Sequence, residues 1–168
     1  VTLTLTDVPE PPPRATWDQT WLAVATVVAQ RSWCSRRQVG AVIVTRDNRV
    51  ASVSYNGPPR GQHVTTTCDH WCRRAIDRDL QAYDNCDAIH AEANALLRAD
   101  YTDIAGGTVY VSSAMCVNCA KLVANSGLVR AVHVVDEERD AHRRPDDVEL
   151  QLRQWGLSVQ RARNLGDG

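Results

Sequence analysis

The residues able to do chemistry lie in two short runs, His90-Ala91-Glu92 and Cys116-Val117-Asn118-Cys119. One imidazole and two thiolates form a ligand set for zinc. Three protein ligands leave the metal a fourth position for water, which separates a catalytic site from a closed structural one. Two thiolates and a neutral histidine also cancel the metal's charge, so a deprotonated water there is a better nucleophile than on a more cationic centre. Glu92 is not needed as a ligand and stands where a carboxylate can move protons. A lone C-x-x-C would be a weak signal. Two such runs separated by a strand-like stretch are a strong one.

This spacing dictates the elements that must hold the residues. Cys116 and Cys119 stand three apart and share one face of a helix. A helix that starts at Cys116 places both sulfurs near its positive end, which favours thiolate. His90 and Glu92 are two apart and would diverge in mid-helix, so they converge only at a helix start. Residues 93–98 read as that helix. Two helix N-termini aimed at one metal are therefore expected.

The rest of the chain supplies the frame. A helix is expected from Trp17 to about Trp33, with Trp17 and Trp21 packed in the core. Strands follow at 39–44 and 50–55, joined by a turn at Arg46-Asp47-Asn48. Asn56-Gly57-Pro58-Pro59-Arg60-Gly61 leaves the second strand as a loop. Residues 62–88 read as irregular or partly helical. Beyond His90, a strand is expected at 107–112 and a helix at 116–126 closed by Gly127. Another strand follows at 130–135, then a helix from Pro145 to near Gly156 and a strand at 157–162. A hairpin followed by alternating helices and strands gives a layered α/β sheet, which binds ligands beyond its strand ends. Residues 15–163 form one domain in this reading. A Pro-rich mobile arm precedes it at 1–14, and a frayed tail follows at 164–168.

Composition narrows the classes. A chain of 168 residues suits one domain that buries ~70% of its unfolded surface. The net charge of −1 argues against a nucleic-acid surface, which shows as a basic domain. No run approaches the ~18 apolar residues of a membrane span. Zinc thiolates must be kept reduced, so the expected compartment is the cytoplasm. Four further cysteines, Cys34, Cys68, Cys72 and Cys86, suit a tetrahedral structural zinc. Buried thiols of the core are the other reading, and His63 or His70 could replace one ligand. Arg36 and Arg37 could meet phosphates through forked donors or form a solvated helix end. Arg73-Arg74 and 139–144 read as solvated faces. His63, His70, His133 and His142 show no compelling partner, and His133, inside a strand pattern, reads as structural.

From about Trp17 to Val135 the chain resembles the cytidine/deoxycytidylate deaminase superfamily, closest to its zinc-dependent dCMP branch. Beyond the two zinc motifs, the resemblance rests on 31–44, on Tyr55-Asn56-Gly57 with Pro59 and Gly61, on 90–95 and on 119–122. It implies a three-layer α/β fold with a five-stranded mixed sheet flanked by helices. It implies catalytic zinc on His90, Cys116 and Cys119, Glu92 as the proton shuttle, and dCMP converted to dUMP with release of ammonia. Asn56 would hold the nucleoside, and the Ala114 carbonyl would accept from the substrate amino group. A homo-oligomer, hexamer or dimer, with dCTP and dTTP as effectors, is implied as well. Some members also carry a second zinc near the positions of the four further cysteines. Two departures stand out: Met115 where the family has Pro before the first zinc cysteine, and Ser54 where Gly is frequent. The alternatives are a deaminase of another amino-pyrimidine or modified cytidine, a polynucleotide editor, and a non-catalytic zinc and nucleotide-binding regulatory module.

Overall fold

The computed structural model describes residues 13–77 and 86–162. Of the expected arm at 1–14, only Pro13 and Arg14 fall among the described residues, and the tail at 164–168 lies outside them.

Helix α1 (Trp17–Ala29) opens on a capping box: Thr16 Oγ1 accepts from the Gln19 N–H, and the Gln19 side chain accepts from the Thr16 N–H. It ends four residues before Trp33. Ser32, fully buried, turns its hydroxyl to the Cys34 N–H at 3.2 Å, and this local bond competes with further helix. Leu22 and Ala25 bury the inner face. Trp17 corrects an expectation: it is 61% exposed and stacks on Trp21 with ring centroids 5.5 Å apart. Only Trp21 reaches the hairpin, where its Nε1–H donates to Asn48 at 2.7 Å. An i, i+4 aromatic pair stacks on itself, and its first member stays in solvent.

Strands β1 (Gly40–Val44) and β2 (Val50–Tyr55) form the expected antiparallel hairpin, turned by Asn48 at φ 65. A Cβ on Gly40 would lie 1.9 Å from the Ala25 carbonyl oxygen, so glycine is what lets α1 press onto β1. The insert between β2 and the next core helix holds a one-turn 3₁₀ helix at Cys68–His70 and the short α2 (Arg73–Ile76). Then come α3 (Ala91–Leu96), α4 (Tyr101–Ile104), β3 (Thr108–Val111), α5 (Val117–Ala124), β4 (Arg130–Val134), α6 (Glu137–Asp140), α7 (Pro145–Gln154) and β5 (Ser158–Ala162). The single-turn helices α4 and α6 were not foreseen, being too short to show a period. Each is capped by an aspartate, Asp100 or Asp136, which accepts a backbone N–H.

The sheet order is β2-β1-β3-β4-β5. Strand β1 pairs antiparallel with β2 and β3, whereas β3-β4 and β4-β5 are parallel, with α5 and α7 as the crossovers. Alternating side chains divide the core in two. Val42, Val44, Tyr110, Val132 and Val134 pack with Leu22 and Ala25 of α1. Ala41, Ile43, Val109, Val111 and Ala131 pack with α3, α5 and α7 on the opposite face. This is the expected three-layer α/β arrangement with a five-stranded mixed sheet. No helix among the described residues is long and apolar enough to cross a membrane.

Candidate metal centre and its arginine-lined cleft

Both chemical runs sit at helix starts rooted in the core. His90 is the N-cap of α3, with φ −68 and ψ 155. Its approach is fixed one residue earlier, where Ile89 and Gly57 exchange backbone hydrogen bonds of 2.8 and 3.1 Å. Cys116 is the N-cap of α5, and its sulfur accepts from the Cys119 N–H. The two helix starts converge as their spacing requires. His90 Nδ1 lies 3.4 Å from Cys116 Sγ and 3.3 Å from Cys119 Sγ. Among the described residues this is the one group of three ligand atoms mutually within 4.8 Å. A tetrahedral centre with bonds of ~2.0–2.1 Å to nitrogen and ~2.3 Å to sulfur sets those atoms about 3.5 Å apart. Both nitrogen–sulfur separations match that value and the two sulfurs lie within 4.8 Å of each other, so the three side chains fit a zinc ion.

Electrostatics agree with that fit. The hydrogen bond from Cys119 and those from His90 and the Cys119 N–H outweigh burial and pull the Cys116 thiol down to about 3. The Cys119 thiol is pushed up by the Cys116 sulfur, by burial and by Glu92. Burial favours neutral His90, but its bond to Cys116 and the nearby Glu92 charge raise its pKa. Protons thus hold together a cluster of negative groups, a place that a cation can take. Glu92, 3% exposed in the first turn of α3, bonds to Cys119 and faces a cavity of about 260 Å³.

Asn56 lines that cavity, but its side chain is also a clamp. Its Oδ1 accepts from the Val39 N–H at 2.8 Å, and its Nδ2 donates to the Arg37 carbonyl at 3.0 Å. One N–H and one lone pair of the amide remain. Ala114 is fully buried, and its carbonyl accepts from Arg143 Nη1, which also lies 3.1 Å from Ser113 Oγ.

The cavity wall corrects one sequence expectation. Arg36, Arg37, Arg74, Arg139 and Arg143 all line the space that Glu92 faces. Arg74, Arg139 and Arg143 belonged to the segments read as solvated faces. Arg74 reaches the site from α2, Arg139 from α6 and Arg143 from the turn that follows α6. The available signal was a cluster of cations directly after β4, where parallel sheets place ligands. Arg37 is already matched: its guanidinium grips the fully buried Asp140 carboxylate, with Nη2 3.0 Å from Oδ2. Burial pushes the Asp140 carboxyl up, and the Arg37 bonds overcome this and hold it below the usual range. Arg36 donates to the Arg74 carbonyl and Arg139 to the Arg36 carbonyl, which interlocks the rim. A second cleft of about 810 Å³ continues past Arg74, His142 and Arg143 to Cys116 and α7.

The four remaining cysteines come together as two pairs. Sγ atoms are 3.8 Å apart in Cys34–Cys68 and 3.8 Å apart in Cys72–Cys86. No disulfide joins any cysteine. Two thiolates on one tetrahedral zinc stand about 3.8 Å apart, given bonds of ~2.3 Å. Backbone N–H groups aim at these sulfurs: Arg37 at Cys34, Ser35 at Cys68 and Ala88 at Cys86. Burial raises the thiols of Cys34 and Cys86, the latter to about 11. His63 and His70 are exposed. His133 has two partners that the sequence did not disclose, Met115 and Glu149.

Residues 15–135 match the family model described as the cytidine and deoxycytidylate deaminase zinc-binding region. The deoxycytidylate deaminase of Mycobacterium phage D29 is 43% identical over 124 residues, covering 71% of this chain and 95% of that protein. The human deoxycytidylate deaminase is 34% identical over 125 residues, covering 74% of this chain and 68% of that one. Among solved structures, the dCMP deaminase of cyanophage S-TIM5 in complex with dCMP and dUMP superposes with a TM-score of 0.62 at 24% identity. That match covers 86% of this chain and 95% of the phage chain.

Proposed function

Because the chain belongs to the cytidine and deoxycytidylate deaminase family, we infer that it hydrolyses dCMP to dUMP with release of ammonia. The observation that carries this reading is the meeting of His90, Cys116 and Cys119 beside buried Glu92, in a cavity rimmed by arginines. Zinc on those three ligands would supply a water acidic enough to ionise near neutral pH. Glu92 takes a proton from the attacking water and delivers protons to the ring nitrogen and the departing amine. A shuttle of this kind contributes ~10²–10⁴-fold. The Ala114 carbonyl accepts from the exocyclic amino group; its two lone pairs admit both that donor and Arg143. Asn56 holds the 37–39 segment in place and turns its remaining N–H toward the nucleoside. The guanidinium forks of Arg36, Arg74 and Arg139 receive the 5′-phosphate, each charge-assisted bond contributing about 1.5–3 kcal/mol gross.

Cys34, Cys68, Cys72 and Cys86 hold a second, structural zinc in this reading. The 3.8 Å sulfur pairs and the N–H groups aimed at the sulfurs support it. Family resemblance supports a homo-oligomer, hexamer or dimer, with dCTP and dTTP as effectors. Six thiols without a disulfide suit a reducing cytoplasm.

The test compares kcat/KM for dCMP and deoxycytidine, with and without dCTP. Loss of the phosphate should lower kcat/KM by at least ~10²-fold. Equal turnover of the nucleoside under both conditions would replace this reading with a nucleoside-type or specialised deaminase.

A further inference from the structure

His133 sits in mid-β4, fully buried, and both ring nitrogens are engaged. Nδ1 lies 3.3 Å from the backbone nitrogen of Met115, and Nε2 lies 2.9 Å from Glu149 Oε1. A backbone N–H can only donate, so Nδ1 accepts and the ring proton resides on Nε2, where it donates to Glu149. That carboxylate is itself fixed. Arg161 Nε reaches Oε1 at 2.9 Å and Arg153 Nη2 reaches Oε2 at 3.3 Å. The chain of contacts thus runs from α7 and β5 through His133 to the residue immediately before Cys116.

Its target is one peptide unit. The Met115 N–H and the Ala114 C=O belong to the same planar group and point in opposite directions. A hydrogen bond that fixes the N–H therefore fixes the direction of the carbonyl. Met115 is fully buried, so without His133 this N–H would be an orphan donor, costly by the usual measure of a desolvated polar group. A proline at this position would have no N–H to satisfy and a φ set by its ring. Met115 has neither property.

We propose that His133, braced by Glu149, is a positioning residue that holds the Ala114–Met115 peptide plane by a hydrogen bond, as a proline ring would hold it covalently. It thereby fixes the direction of the Ala114 carbonyl, which meets Arg143 of the cleft wall, and sets the entry of Cys116 to the metal. The inference rests on the proposed function for the role of Ala114, but not for the effect on Cys116.

The experiment has two arms on the zinc-loaded protein. In the first, ¹⁵N NMR of the wild type should show His133 Nδ1 unprotonated and Nε2 protonated; the reverse tautomer overturns the proposal. In the second, His133→Leu should lower kcat for dCMP or zinc affinity by ~10–100-fold, the usual range for a partner behind a ligand, with KM for dCMP changing less. Met115→Pro added to His133→Leu should recover most of that loss, because proline removes the orphaned donor. A double variant as impaired as His133→Leu shows that the histidine acts only as core filler and ends the proposal. Where His133→Leu does not fold, the tautomer decides. If the wild type leaves dCMP untouched, the deaminase reading fails alone; the tautomer and the zinc-affinity series still judge the positioning role.

Discussion

Two cysteine sets flank one cavity, which Cys34 and Cys86 reach from one side and His90, the partner of Cys116 and Cys119, from the other, and they are built on opposite principles. Cys116 caps α5, Cys119 stands in its first turn, and His90 caps α3. Ala91, Ala95, Cys119, Ala120 and Val123 of these helices lie within the main core. The His90 Nδ1 atom lies 3.3–3.4 Å from both sulfurs, and the Cys116 thiol is pulled down to about 3. Cys34, Cys68, Cys72 and Cys86 hang on loops and single turns, their sulfurs meet only in pairs, and burial pushes the Cys86 thiol up to about 11. A set rooted in sheet and helix is shaped before any metal arrives. A set carried by loops would take its form from the proposed second zinc, and metal affinity there would become folding stability. The first should govern chemistry and the second the integrity of the insert.

The strongest way to break this comparison is Cys119→Ala. It should abolish deamination and remove about one zinc per chain by elemental analysis, with the fold kept. Loss of both zincs would show the two sets to be one cooperative unit. Next, Glu92→Gln should retain the full zinc complement and lose at least ~10²-fold in turnover, separating metal from proton transfer within the first set. Near-normal ammonia release by the metal-replete variant would remove Glu92 from the shuttle role.

Cys72→Ala should behave in the contrary way. Wild type should carry close to two zincs, and this variant one. At metal near 100 times Kd the lost binding corresponds to about 2.7 kcal/mol, or ~5–11 °C in Tm for a chain of this size. Activity at low temperature should change far less. An unchanged Tm, or one zinc in the wild type, would leave the four cysteines as plain core thiols.

The smallest effect concerns the brace beneath the first set. Burial raises the Glu149 carboxyl, but bonds from His133 and Arg161 overcome this and hold it at about 2, against an ordinary 4.5. A depressed folded pKa contributes stability that is fully present above about pH 4.5 and is lost as pH falls toward 2. Glu149→Gln should therefore lower Tm at neutral pH, with the gap to wild type closing through that window. A gap independent of pH would mean that the carboxylate charge contributes nothing to the brace.

What the sequence determined by itself is the local part. Ligand types at fixed spacing need only a helix start, and the residues around His90 and Cys116 encode one each. All five strands were legible as short β-branched or apolar runs bounded by turn residues, because such a run and its turns are written within a few residues. The tertiary structure alone decided what depends on distant segments meeting. Arg37 finds Asp140 across 103 positions, and Cys34 finds Cys68 across 34. Arg74 of α2, Arg139 of α6 and Arg143 of the turn after α6 became one cavity wall with Arg36 and Arg37, although they come from segments far apart in the chain. Trp17 stays exposed, while Trp21, four residues on, packs against the core and bonds to Asn48. Met115 looked like a plain departure from the family pattern until β4 brought His133 beneath it, 18 residues away. No local periodicity carries such pairings, since each rests on the packing of whole elements and not on the propensity of either residue.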